Sequence, residues 1–387
     1  MKPETQKWDV RTARGPVRVT SPAPRAAWNE IVGTDPLAGP SQLPAWSDAV
    51  CRSDGWTEAS RLYDLPGGRQ LVLPLVRRVV AGSPGDPKLL TVQASLPHGW
   101  GSGGLVAPGG ADVDDVAVVM ADLAGGRELR TLLRPGFATA PAWHGAWTVG
   151  EANQRVPVRI PVQTHVLDLG GGLSEVWSRR LSSKARTGIR SARRKAESAG
   201  LVIEVGSSPG LVEDLYAVYL RWVDRRALQR RMPRRVARIR GMRAEPSRRF
   251  HTVAAAFGDR CRIWVARLDG SPIAAAIAVF HGEVGVGWRA FSDRELAGPL
   301  RAHELMQFLA VEHACRVGCR YFDMGESGGV TTLTHVKDRL GGTRQELAEY
   351  AFERVPLSRF DHGRLALRGY VERRMLAMDH PTERLRP

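Results

Sequence analysis

Apolar and polar positions alternate most clearly in two stretches of the chain. In the first, Ala59–Tyr63 leads into the turn Pro66-Gly67-Gly68 and Leu71–Val76 follows, a period of two broken by glycine that predicts a β-hairpin. In the second, Arg262–Leu268 runs into Asp269-Gly270, Pro272–Val279 returns, His281-Gly282 turns again, and Val284–Phe291 supplies a third strand. The period then changes. Leu305, Met306, Leu309 and Val317 recur at helical spacing behind Gly298-Pro299, proline being suited to a first helical turn, and Gly318 closes the segment. Arg320–Gly325 is the next strand. The second half thus reads strand, strand, strand, helix, strand. The first half repeats this order faintly, with its hairpin, the glycine-rich loop Gly99–Gly104, and a helix over Asp112–Leu123 ended by Gly125-Gly126. The likeness of Arg61–Val76 to Arg267–Val279 suggests a tandem duplication.

Val158–Leu169 is extended and Gly170-Gly171-Gly172 follows it, which places a boundary near Pro161. The expected organisation is a disordered arm over residues 1–20, an N-terminal domain over 21–160, a C-terminal domain over 161–356, and an appendage over 357–387 whose helix is Arg364–Met378. The fold class is α/β, two tandem domains with mixed sheets flanked by helices.

Composition narrows the function. The 387 residues are 43% hydrophobic and 25% charged, as in a globular chain. The polar N-terminus lacks an apolar signal core, and the longest apolar run, Pro272–Phe280, is too short to span a bilayer. A cytoplasmic protein with no transmembrane segment is expected. Cys51, Cys261, Cys315 and Cys319 show no metal-binding spacing, so no metal is expected, and no tightly bound cofactor is expected beside it.

The net charge is +16, and it is concentrated: Ser174–Arg249 holds 20 Lys and Arg against 7 Asp and Glu. Such a patch attracts phosphates, nucleic acid or anionic lipid head groups. Within it, LSSKARTGIRSARRKAES (181–198) reads as a basic helix with one acid, Glu197, so its cations repel one another unless anions neutralise them. Lys184, Arg186, Arg190 and Arg193 are the candidate phosphate-binding residues. Tyr216, Tyr219 and Trp222 follow at helical spacing; Trp222 reads as core, and the two tyrosines as core or as a substrate platform. Arg230–Arg235 reads as a solvated loop and helix start. Further on, a strand ends in Gly325-Glu326-Ser327-Gly328-Gly329 and a short helix carries Lys337, one of only six lysines. Ligands of α/β sheets collect at such strand ends.

The segments LSSKARTGIRSARR, RCRIWVARLDGSPIAAAIAVFHG, HELMQFLAVEHACRVGCRYFDMGES and THVKDRLGG, in this order, resemble the Fem family, the peptidoglycan interpeptide-bridge transferases and their acetyltransferase-like relatives. The family's basic K-x-R-x-x-I-R-x-A helix corresponds to Lys184–Ala192, its F-D-x-G-x-S strand end to Phe322–Ser327, and its closing K-x-x-x-G-G/A to Lys337–Gly342. The resemblance implies two tandem GNAT (acetyltransferase)-like domains and transfer of an activated acyl group to an amine in cell-envelope biosynthesis. It implies aminoacyl-tRNA or acyl-CoA as co-substrate. The implied partners are a phosphorylated or tRNA-linked substrate, with tRNA contact, and a lipid-linked acceptor at the membrane surface. Under it, Lys337 is the cation at the developing oxyanion or donor phosphate, Glu326 (or Asp323) takes the amine proton, and Ser327, Tyr216 and Tyr219 join the basic helix in binding substrate. His335 is a further candidate. The loop Glu295–Arg301 lacks the Arg/Gln-x-x-Gly-x-Gly/Ala pattern that holds coenzyme A, so weak or no binding of that donor is expected. A long coiled-coil insertion is missing, and the arginine run after Trp222 has no counterpart. Two rival readings remain: an acyl-CoA-dependent N-acetyltransferase of a small molecule or sugar, and a non-enzymatic nucleic-acid-binding protein, although the patch carries no helix-turn-helix, zinc-finger or RNP signature.

Overall fold

A computed structural model describes residues 4–12, 15–82, 90–150, 157–327 and 331–358. Its spine is a mixed eleven-stranded sheet in the order Val202–Gly206, Cys261–Leu268, Ser271–His281, Val284–Ser292, Tyr321–Glu326, Val158–Asp168, Thr343–Glu353, Arg130–Leu133, Leu90–Ala94, Val76–Ala81 and Thr57–Glu58. A second sheet joins Gln6–Thr12, Gly15–Ser21, Arg61–Asp64 and Gln70–Leu73. Among the described residues each half contains one parallel pair of strands: Val92–Ala94 with Arg130–Leu132, and Val284–Val286 with Tyr321–Asp323. A parallel pair needs a crossover, and helices Val113–Ala124 and Ala302–Arg316 lie between the paired strands in the chain.

The turns are local chemistry. Asp269-Gly270 joins Cys261–Leu268 to Ser271–His281 with both residues at positive φ, the conformation a tight hairpin demands. Asp112 caps helix Val113–Ala124 by accepting from the Asp115 amide at 2.7 Å.

Three expectations are corrected. Residues 6–12 and 15–21 are not a disordered arm; they form a hairpin whose Val17 and Val19 are fully buried. Trp8 Nε1 donates to Asp122 at 2.8 Å, in a buried network where Arg61 and the Tyr63 hydroxyl share the same carboxylate. Gly298-Pro299 does not open the long helix. Asp293 caps an earlier short helix, Arg294–Leu300, which contains Pro299, and Arg301 in the left-handed region breaks the chain before Ala302–Arg316 begins. The boundary expected near Pro161 falls inside strand Val158–Asp168. The expected helix Arg364–Met378 lies outside the described residues.

One hydrophobic core joins the two halves. Trp28, Trp46 and Trp100 pack with Tyr216, Phe250 and Trp288, and Trp46 meets Trp100 and Trp288 edge-on at 5.9 and 5.2 Å. Asp54, at the end of helix Pro44–Asp54, accepts two bonds from Arg249 Nε (3.1 and 2.9 Å) and one from Trp100 Nε1 (2.8 Å). Among the described residues no helix is long and apolar enough to cross a membrane, and no cluster of His, Cys, Asp and Glu could hold a metal.

Candidate active site

Strands Val284–Ser292 and Tyr321–Glu326 pair only as far as Val286 and Asp323. Beyond that point they diverge, and a cavity of about 360 Å³ occupies the opening. Its far wall comes from the first half: His98, Gly99, Gly101, Ser102 and Arg134. Arg289 and Trp288 tie that wall down by donating to the Gly99 carbonyl.

The end of strand Tyr321–Glu326 is irregular for a visible reason. Asp323, buried, accepts from Thr164 Oγ1 at 2.6 Å and from the Gly325 amide at 2.8 Å. Gly325 sits at φ +75°, and the ladder to Val158–Asp168 shifts register between Asp323 and Glu326. This bulge turns the carbonyls of Gly325 and Glu326 toward helix Thr331–Arg339. Lys337 on that helix is 3% exposed, and its Nζ donates to both carbonyls, at 2.6 and 3.0 Å. An ammonium has three N–H groups, so two are held and the third remains for the cavity that Lys337 lines. Burial pulls the Lys337 ammonium down to about 8, against the opposing pull of Asp323 and Glu326. Burial pushes the Asp323 carboxyl up.

The glycines after Lys337 explain themselves by close approach. Gly341 has φ +82°, and a Cβ there would sit 2.7 Å from the Arg180 carbonyl oxygen; one on Gly342 would sit 2.9 Å from Met324 Sδ. The pair seats the lysine helix against the sheet.

Of the expected residues, Lys337, Glu326 and Asp323 are brought together at the cavity. Glu326 is half exposed and accepts from Arg134 Nη2 at 2.9 Å, while Arg134 Nε reaches Glu349 at 2.7 Å. Ser327 is buried, and its Oγ has no partner among the described residues. His335 is exposed on the lysine helix.

The basic helix Ser183–Ser198 stands apart from this cavity. Its Ala185, Gly188, Ile189, Ala192 and Ala196 are buried, while Lys184, Arg190 and Arg193 are exposed. Arg190 lies over Trp177; Arg193 lies over Phe308 and 3.5 Å from Glu312. Arg186 is half-buried, and its Nη1 donates to the carbonyls of Trp177, Ser178 and Leu181, closing the helical turn before it. Tyr216 and Tyr219 are core residues rather than a substrate platform. Both are buried among Phe250, Phe291 and Trp222, and the Tyr219 hydroxyl donates to the Gly241 carbonyl at 2.9 Å.

Sequence reasoning missed His303. It lines the cavity in the first turn of helix Ala302–Arg316, with a buried Nδ1 lacking a partner among the described residues. Burial lowers its pKa, with the Glu304 carboxylate opposing and the Lys337 charge reinforcing the shift. It is therefore a neutral imidazole able to exchange a proton. The signal was its place in the first turn of the crossover helix.

Comparison with known proteins bears on the fold. Residues 183–330 match the acetyltransferase (GNAT) domain family. No curated protein matches the chain by sequence. The crystal structure of FemX superposes with a TM-score of 0.59 at 13% identity, over 86% of this chain and 96% of FemX. A tandem GNAT protein from the clavulanic acid biosynthesis pathway gives 0.48 at 16% identity, covering 88% of this chain and 99% of its own. The C-terminal domain of a putative lysylphosphatidylglycerol synthetase from Agrobacterium fabrum gives 0.46 at 12%, covering 85% and 91%. The chain is Fem-like in fold, and residues 183–330 within it match the acetyltransferase (GNAT) domain family.

Proposed function

We propose that the protein is an acyl- or aminoacyltransferase that joins an activated acyl donor to an amine in the cleft at Lys337, in cell-envelope biosynthesis. The observation that carries this reading is the Lys337 ammonium, buried and fixed by two carbonyls with one N–H left for the cavity. The amine nitrogen attacks the donor's ester or thioester carbonyl, a C–N bond forms, and the C–O or C–S bond breaks as the oxyanion collapses. Lys337 donates its third N–H to that oxyanion, an interaction strongest in the transition state. Glu326, or neutral His303, accepts the proton the amine loses, and the leaving alcohol or thiol takes a proton in turn. Positioning of both substrates between the two halves supplies the rest.

An aminoacyl-tRNA donor is favoured by the state of helix Ala302–Arg316. Ala302 is fully buried, and Glu304 places a carboxylate in the first turn, ion-paired with Arg301 at 2.6 Å. A pyrophosphate there would lie against the Glu304 carboxylate and compete with it for Arg301. Exposed Lys184, Arg190 and Arg193 offer phosphates a place outside the cleft. The match of residues 183–330 to an acetyltransferase domain favours acyl-CoA instead. A donor screen decides. Calorimetry with acetyl-CoA should show no micromolar binding. Aminoacyl-tRNA should bind in a salt-dependent way that Arg190→Ala/Arg193→Ala weakens. Micromolar acetyl-CoA binding promotes the second donor, and transfer from neither donor overturns the assignment.

A further inference from the structure

The arginine-rich segment after Trp222 plays no part in the cleft chemistry. From Arg225 to Ala244 there are nine arginines and no acidic residue. Helix Arg234–Ala244 is anchored on one side only. Ala237 is buried, Gly241 packs against Val223 and Tyr219, and Arg234 and Arg238 both pair with Asp224, at 2.6 and 2.7 Å. At 100° per residue the opposite side carries Val236, Ile239 and Met242 interleaved with Arg235, Arg240 and Arg243. Those apolar side chains are 40%, 52% and 49% exposed, and neighbouring Leu228 is 80% exposed. No other element among the described residues covers them.

We propose that this outward face docks on an anionic lipid bilayer. Arginine alone would suit any polyanion, including nucleic acid. Four exposed apolar side chains among the arginines decide between them, because a phosphate backbone offers them nothing. At a bilayer the apolar groups enter the acyl boundary while the guanidinium groups stay at the lipid phosphates. The helix that carries this face ends at the cleft. Glu245, directly after the helix, lines the cavity and accepts from Arg289 Nε at 3.0 Å. Docking therefore holds the cleft end of this helix near the membrane surface. The proposal does not rest on the transferase reading, since the surface is built whatever the cleft does.

The test is flotation of the full chain with vesicles of phosphatidylglycerol and phosphatidylcholine in equal parts, against phosphatidylcholine alone. Binding is expected only to the anionic vesicles. Arg235→Gln/Arg240→Gln/Arg243→Gln should weaken it by on the order of a hundredfold. Ile239→Ser/Met242→Ser, with charge unchanged, should weaken it by roughly tenfold or more. All these positions are exposed, so melting temperatures should match the parent and report that folding is intact. Failure of the parent chain to bind anionic vesicles overturns the proposal. So does full binding by the Ile239→Ser/Met242→Ser variant, which would mark a purely electrostatic surface; duplex RNA binding lost only in the arginine variant would then identify a nucleic-acid interface.

Discussion

Replacing Lys337 with Met tests the site through two independent readouts. Lys337 is 3% exposed, and its folded-state value near 8 lies below the ordinary 10.5. At 1.36 kcal/mol per pH unit, holding the proton in the folded state costs about 3 kcal/mol. Below pH 8 both folded and unfolded chains carry the proton, and the whole penalty applies. Between 8 and 10.5 the unfolded chain holds more protons than the folded one, so stability rises with pH; above 10.5 the penalty is gone. The Lys337→Met chain carries no such penalty. It does leave the Gly325 and Glu326 carbonyls without their donor, at about 1–3 kcal/mol each, but that loss does not change with pH. Urea unfolding of both proteins at pH 7, 8, 9 and 10 should therefore show the parent gaining on Lys337→Met across this range, approaching about 3 kcal/mol. Transfer activity of Lys337→Met should fall by roughly a hundredfold or more, with kcat and kcat/KM falling together, and parental kcat should decline as pH rises through about 8. Parallel stability curves, or a Lys337→Met variant with normal turnover, would refute the reasoning.

Asp54→Ala should destabilise the chain by about 3 kcal/mol in urea, because buried Arg249 loses its main partner and keeps only Glu245 at 3.5 Å, and Asp54→Ala/Arg249→Met should recover much of that. Gly341→Ala places a Cβ against the Arg180 carbonyl at positive φ; a loss of about 1–3 kcal/mol, with lower turnover as the lysine helix shifts, is expected from melts and kinetics. Burial lowers the pKa of His165, His281, His303 and His313, the last to about 4. Below the ordinary 6.5 the unfolded chain binds more protons, so melting temperature should fall on acidification from pH 6.5. His303→Gln should lower kcat by roughly a hundredfold and change the acid limb of its pH profile.

The strand and helix order of the second half was legible because its punctuation is local. Asp269-Gly270, His281-Gly282 and Gly318 mark turns by backbone preference alone. Lys337 was legible for a related reason: flanking glycines and the scarcity of lysine set it off. What stayed hidden depends on distant partners. Trp8 is 114 residues from Asp122, so the N-terminal hairpin looked like a polar arm. Arg186 looked like its neighbours on the basic helix until the carbonyls of Trp177, Ser178 and Leu181 claimed it. The far wall of the cleft, with His98 and Arg134, is assembled only by tertiary packing, and its residues carry no local pattern. The tyrosines were undecidable from spacing, since a core stripe and a binding face share one helical period.

Strand Thr343–Glu353 lies between Val158–Asp168 and Arg130–Leu133. On the ribosome, Arg130–Leu133 therefore emerges with one edge unpaired, and its partner follows only about 200 residues later. At roughly 5–20 residues per second, that edge waits on the order of ten to forty seconds. An open edge of this kind is a template for pairing with another nascent chain. Expression yield should therefore depend on chaperone supply and on translation speed through the second half, and a fragment ending near residue 160 should aggregate rather than fold.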